Sequence, residues 1–146
     1  MIDSFSGNDY RFLSNFYVHP VLFEGITYPS TEAAYQASKT LDLNERVKLS
    51  KMTPGQSKQA GQTLRLREDW ESVKMQVMYD LNRRKFEDPN LRRKLLATGD
   101  QELIEGNKWH DNIWGSCVCE KCGNKGKNLL GKTLMKIRGE IRNGWI

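Results

Sequence analysis

The chain has 146 residues, 38% apolar and 28% charged, enough to bury a core and too apolar for a compositionally disordered chain. No run of about 18 apolar residues occurs, and the start MIDSFSGNDYRF lacks the basic and apolar regions of a signal peptide, so a cytoplasmic protein with no membrane span is expected, a single domain over residues 1–146. The net charge of +5 is uneven: residues 1–73 hold 8 Lys/Arg against 9 Asp/Glu, and residues 74–146 hold 15 against 9, a bias that suits a phosphate or nucleic-acid partner. Basic runs such as NRRK fan around a helix, so a solvated face is the competing account of part of that excess.

VLFEGITYP reads as a hairpin, with Val21–Phe23 and Ile26–Tyr28 flanking Glu24 and Gly25. The next stretch, YPSTEAAYQASK, carries a helix start at Pro29 and Ser30. From there Glu32, Tyr35, Gln36 and Lys39 fall at i, i+3, i+4 and i+7, one helical face, with Ala33, Ala34 and Ala37 on the small-residue side. A polar stripe of this kind is either a solvated surface or a site. TPGQSKQAGQTLR opens a helix with Thr53 as cap and Pro54 at the first position. Trp70, Val73, Val77 and Leu81 mark an amphipathic helix within residues 68–86. EDPNLRRKLLATG repeats the cap signature with Asp88 and Pro89, packs Leu91 and Leu95, and stops at Gly99. Residues 101–105 suggest a short strand, and NLLGKTLMKIRGEIR a last helix with Leu130, Leu134, Ile137 and Ile141 inside.

Between Glu105 and Lys127 little helix or strand signal remains. Loops beyond about 12–15 residues in a compact domain are usually functional or disordered. This one is rich in Trp, Cys and His, so packing, a ligand or a metal must hold it. All three cysteines lie here, in CVCEKC, an odd and clustered set that does not read as a disulfide framework. With His110, residues Cys117, Cys119 and Cys122 make H-x6-C-x-C-x2-C, enough ligands for a structural zinc. Three reduced thiols are the alternative, and the tight spacing of Cys117 and Cys119 speaks for it.

In chain order, FLSNF, YPSTEAAYQASK, DWESVK, LLATG with ELIE, WHDNIWG and GKNLLGKTLMKIR resemble the NADAR (YbiA-like) family over roughly Phe5 to Arg142. Two departures stand out. The family's usual SEHYFQA reads TEAAYQA here, without the His, and the loop after Trp114 and Gly115 carries a cysteine cluster that many members lack. The resemblance implies a compact, mainly helical α+β domain with a short N-terminal hairpin and a small sheet. It also implies N-glycosidic cleavage of ribosyl substrates, either ADP-ribose on guanine in nucleic acids or intermediates of riboflavin biosynthesis.

Breaking a ribosyl C–N bond builds positive charge on the sugar carbon, so a fixed carboxylate and a base for the attacking water are needed. Glu32 is the first candidate, and helix-end electrostatics is its structural alternative. Lys39, on the same face, could hold a phosphate, steady the leaving base, or attack the aldehyde of a ring-opened ribose as a Schiff-base nucleophile; these roles stay open. Asp111 is the second catalytic candidate, with the capping of a turn as its alternative, and Glu105 is a weaker one. Trp114, with Gly115 beside it, would stack on a base, and Trp109 reads more readily as core. Ser14 and Asn15 offer donors for ribose hydroxyls, with Phe12 and Phe16 as core around them. Tyr35 and Gln36 complete the face of Glu32, and Lys127 and Asn128 lie where a helix N-terminus attracts phosphate. The expected pocket is closed by the Trp114 loop over the Glu32 helix. The chemistry requires no cofactor and no catalytic metal. The expected partners are an ADP-ribose-type or ribosyl-phosphate small molecule, or ADP-ribosylated DNA or RNA. A non-catalytic binder of ADP-ribose or nucleic acid, with the cysteine loop as a small zinc module, is the rival from another class.

Overall fold

The computed structural model describes residues 1–144, and its backbone contacts divide the chain into two compact units, Asn15–Asp88 and Met1–Ser14 joined with the chain from Pro89 onward. Among the described residues the architecture is α+β: six α-helices, one antiparallel hairpin and one short parallel strand pair, the expected class. No described helix is long and apolar enough to cross a membrane.

The unit Asn15–Asp88 begins with β1 (Val18–Phe23) and β2 (Ile26–Ser30), paired in the register Val21↔Tyr28, Leu22↔Thr27 and Phe23↔Ile26. Glu24 and Gly25 both take positive φ, as a two-residue hairpin turn that matches strand twist requires. Arg46 ties that turn down, giving one hydrogen bond to Glu24 Oε1 at 3.0 Å and another to the Thr40 carbonyl at 2.8 Å. The register is irregular between Val18 and Val21, where Pro20 has no N–H to give. Val21 and Tyr28 point inward and Val18 and Leu22 outward, the alternation of a one-sided sheet.

Strand β2 runs directly into α1 (Thr31–Ala37), whose N-cap Ser30 accepts the Ala33 N–H at 3.1 Å. Pro29 belongs to the strand and precedes the cap, two positions before the first helical residue where a first-turn proline would stand. Helix α1 is packed by α2 (Leu43–Leu49), α3 (Pro54–Gly61), α4 (Trp70–Lys85) and both strands, so every one of its residues is buried. Helix α3 carries a complete capping box between Thr53 and Gln56, as its cap signature predicts. Helix α2 carries no expectation from sequence, and its apolar Leu43 and Val47 face outward; Asp42 caps it by accepting the N–H groups of Asn44 and Glu45.

In the other unit, Ile2 bridges Leu103, exchanging hydrogen bonds with Glu102 and Ile104. That single bridge replaces the strand expected over 101–105. Strands β3 (Gly106–Asn107) and β4 (Ser116–Cys117) pair in parallel at the base of the long loop. Helix α5 (Pro89–Ala97) packs on α6 (Leu129–Arg142). The expected stripe of α6 is its core face: Leu130, Leu134 and Ile137 are at most 1% exposed, each worth about 1.5–3 kcal/mol of burial. Gly99 ends α5 in the left-handed region, and Arg138 reaches back to Thr98 Oγ1 at 2.8 Å.

Candidate active site

The polar stripe of α1 is interior. Glu32, Tyr35 and Gln36 are 9%, 7% and 5% exposed, and Lys39, two residues past the helix end, is half-buried. A solvated face is therefore not the explanation of that stripe. Gln36 Nε2 donates to Glu32 Oε2 at 2.6 Å, fixing the carboxylate one helical turn along. The main chain fixes its other end, since the Glu32 N–H donates to the Asn15 carbonyl at 2.9 Å. Tyr35 packs its ring on Trp70, centroids 5.3 Å apart, and the Lys39 ammonium stands 5.7 Å from the Tyr35 centroid. Burial lowers the basicity of Lys39 below the ordinary lysine value, and the negative charge of Glu32 works against that shift. The two side chains therefore feel each other electrostatically.

Asn15 is buried, its Nδ2 giving a 3.3 Å contact to Met78 Sδ. Asn15 Oδ1, Thr31 Oγ1, Gln36 Oε1 and Asn82 Oδ1 are buried with no hydrogen-bond partner among the described residues. Native interiors leave few such atoms unpaired, and three of the four residues adjoin Glu32: Thr31 precedes it in the chain, Gln36 donates to it and Asn15 accepts its main-chain N–H, which suits the approach of polar ligand groups. Phe16 is 41% exposed, with Lys58 over its ring, and is not the core residue expected of FLSNF; Phe12 is buried. Ser14 is half-buried in the other unit and closes the 3-10 turn Arg11–Leu13, donating its N–H to Arg11. A cavity of about 660 Å³ in the Asn15–Asp88 unit lies among Thr40, Glu45, Leu49, Thr63 and Arg67, and none of the residues marked from sequence lines it.

The structure adds Lys85, which in sequence is one of the basic residues of the run NRRK. It is 1% exposed, with Tyr17 and Phe86 rings at 5.7 and 5.3 Å, and burial pushes its ammonium down to about 7. The signal was helical spacing: Lys85 continues the inward stripe of Met78 and Leu81 by seven and four residues.

The long loop is held by its own polar side chains. Asp111 Oδ1 accepts the N–H groups of Ile113 and Trp114 at 3.1 and 3.0 Å, so Asp111 does cap a turn, whatever else it does. Asn112 Oδ1 accepts from Cys117, and Asn107 Nδ2 donates to the Asp111 carbonyl. Trp114 is half-buried, whereas Trp109 is 57% exposed and is no core residue. Gly115 is buried where a Cβ would collide with the Glu105 carbonyl.

Lys127 is exposed and Asn128 buried. The main-chain N–H groups of Lys127, Asn128, Leu129 and Leu130 donate to the carbonyls of Asn112, Gly115, Ile113 and Trp114. The Asn128 amide is engaged too, its oxygen by the Glu105 N–H and its nitrogen by the Leu103 carbonyl. The donors expected to attract phosphate at this helix start are thus spent on the loop. His110, Cys117, Cys119 and Cys122 converge, with their ligand atoms within 4.8 Å of one another, a group that could hold a metal ion.

A model of the NADAR domain matches residues 4–142. The chain is 37% identical over 140 residues to N-glycosidase YbiA of Escherichia coli (strain K12), covering 93% of this chain and 84% of that protein. It is 34% identical over 143 residues to riboflavin biosynthesis protein VVA0006 of Vibrio vulnificus, covering 92% of this chain and 36% of that longer one. Among solved structures, the NMR structure of the E. coli protein YbiA matches with a TM-score of 0.79 and 35% identity, over 98% of this chain and 88% of that one.

Proposed function

The chain belongs to the NADAR family, and from that premise we propose that it is an N-glycosidase that hydrolyses the ribosyl C–N bond of ADP-ribosylated guanine, in nucleic acid or nucleotide, and releases ADP-ribose. The observation that carries this reading is the Glu32 carboxylate, buried and held by Gln36 at 2.6 Å, with Thr31 Oγ1, Gln36 Oε1 and Asn15 Oδ1 on adjoining residues lacking a hydrogen-bond partner among the described residues. As the C–N bond breaks, its electron pair leaves with the base and positive charge grows on the sugar carbon. A carboxylate in a water-poor setting stabilises that charge and takes the proton of the attacking water. Lys39, less basic than an ordinary lysine, offers more free amine near neutral pH, which among its three roles supports attack on a ring-opened aldehyde. Asp111 as a second carboxylate and Trp114 as a stacking surface for the base rest on the family resemblance.

The excess of basic residues over 74–146 supports a nucleic-acid or pyrophosphate substrate. A second reading, hydrolysis of phosphoribosyl-aminopyrimidines, is favoured by the name of the Vibrio relative. Incubation with an ADP-ribosylated guanosine oligonucleotide and, separately, with the riboflavin-type intermediate, followed by release of the ribosyl product, distinguishes the two. Glu32→Gln should retain binding and lose at least about 100-fold in rate, the scale of a lost general base. An active Glu32→Gln protein would move the chemistry to Asp111. Tight binding of ADP-ribose without turnover by the unmodified protein would replace both readings with a binding module.

A further inference from the structure

We propose that His110, Cys117, Cys119 and Cys122 bind one structural zinc ion that fastens the loop carrying Asp111 and Trp114. The His110 Nδ1 atom lies 3.3 Å from Cys122 Sγ, 3.6 Å from Cys117 Sγ and 3.6 Å from Cys119 Sγ. A single ring nitrogen has one proton or one lone pair and makes one hydrogen bond, so hydrogen bonding does not account for three near-equal contacts. A central ion does. With Zn–N of about 2.0–2.1 Å and Zn–S of about 2.3 Å, tetrahedral geometry places each sulfur about 3.6 Å from the nitrogen.

The backbone is shaped for the same arrangement. His110 takes a φ of 66°, the left-handed region that a histidine seldom enters, and this turns its ring toward the sulfurs. Gly123 and Asn124 follow Cys122 with φ of 65° and 57°, folding the chain back so that their N–H groups reach the Cys119 and Cys117 carbonyls, both at 2.9 Å. The Cys122 N–H points at Cys119 Sγ, 3.4 Å away, a donor that stabilises a thiolate. Cys117 is fully buried at the end of β4, while the other ligands reach the surface, so the ion would pin an exposed loop to the strand pair. Four protein ligands close a tetrahedron and leave no position for substrate or water, so the role is structural, independent of the reaction.

The test is metal analysis of the intact chain purified from zinc-supplemented medium, together with cobalt(II) exchange. About one zinc per chain is expected, with tetrahedral cobalt bands and thiolate charge-transfer absorption after exchange. Cys122→Ser should lose the charge-transfer intensity and most of the zinc. Should that variant misfold, chelation of the unmodified protein gives the same reading: amide exchange should rise over residues 110–124 and the three thiols should become alkylatable together. A folded, zinc-supplied protein with no metal and no cobalt spectrum would overturn the proposal. So would a chain lighter by two hydrogens, showing a disulfide in the cluster.

Discussion

Lys85 sits in the last turn of α4 almost wholly removed from water, with aromatic rings for company. An ammonium there costs folding free energy, which is why its value falls from 10.5 to about 7. Below about 7 folded and unfolded chains both carry the proton, so the penalty is fully present. Between about 7 and 10.5 the unfolded chain binds a proton that the folded chain does not, and stability rises with pH. Lys85→Met removes that dependence. In urea titrations the variant should be most favoured over the natural chain near pH 6, and its advantage should shrink steadily toward about pH 10. A difference that stays constant over that range would mean the amine is hydrated. Residue types at Glu32, Lys39 and Asp111 were legible because their spacing or setting asked for a reason. Burial was not: Lys85 reads as one more cation beside two arginines, and Trp109 and Phe16 read as core by type alone. For Lys85 only its helical spacing from Met78 and Leu81 points inward; for Trp109 and Phe16 the surroundings decide, and no local pattern encodes those.

Helix α1 meets α3 closely at Gly61. A Cβ on Gly61 would overlap the amide of Gln36, the same amide that donates to Glu32. Gly61→Ala should therefore cost about 1–3 kcal/mol of stability by overpacking, and lower the rate by displacing the donor. Combining it with Gln36→Ala should restore stability without restoring rate, measured by urea unfolding and by turnover. Unchanged stability and rate in Gly61→Ala would dismiss Gln36 as the positioning group. Elements with chemical punctuation were readable in advance: Thr53 caps α3, α5 begins at Pro89, and Glu24–Gly25 make the hairpin turn. Helix α2 was not, because Leu43 and Val47 face solvent and only Arg46 and Leu49 go inside. Strands of two residues, as in β3 and β4, are too short to show any alternation. The stripe of α1 was legible in phase, but its environment was left open between surface and site, and a helix surrounded by five other elements has no outer face.

Across the whole chain the charge asymmetry makes the clearest demand. With 15 Lys/Arg against 9 Asp/Glu over residues 74–146, binding of an ADP-ribosylated oligonucleotide should weaken with added salt through counterion release. An ADP-ribosylated guanosine mononucleotide has few phosphates to neutralise, so its KM should change far less over the same salt range. Equal salt responses would detach the basic half from substrate recognition. The grouping of Met1–Ser14 with the chain beyond Pro89 was not legible, because it joins segments far apart in sequence through bonds such as those of Ile2 with Glu102 and Ile104. The start of α6 has a further consequence. Its leading amides are held by the carbonyls of Asn112, Ile113, Trp114 and Gly115, so the indole-bearing segment cannot swing as an independent flap. Any excursion large enough to free it must unravel the first turn of the helix as well, which makes the two a single cooperative opening and ties the mobility of the loop to the stability of the helix behind it.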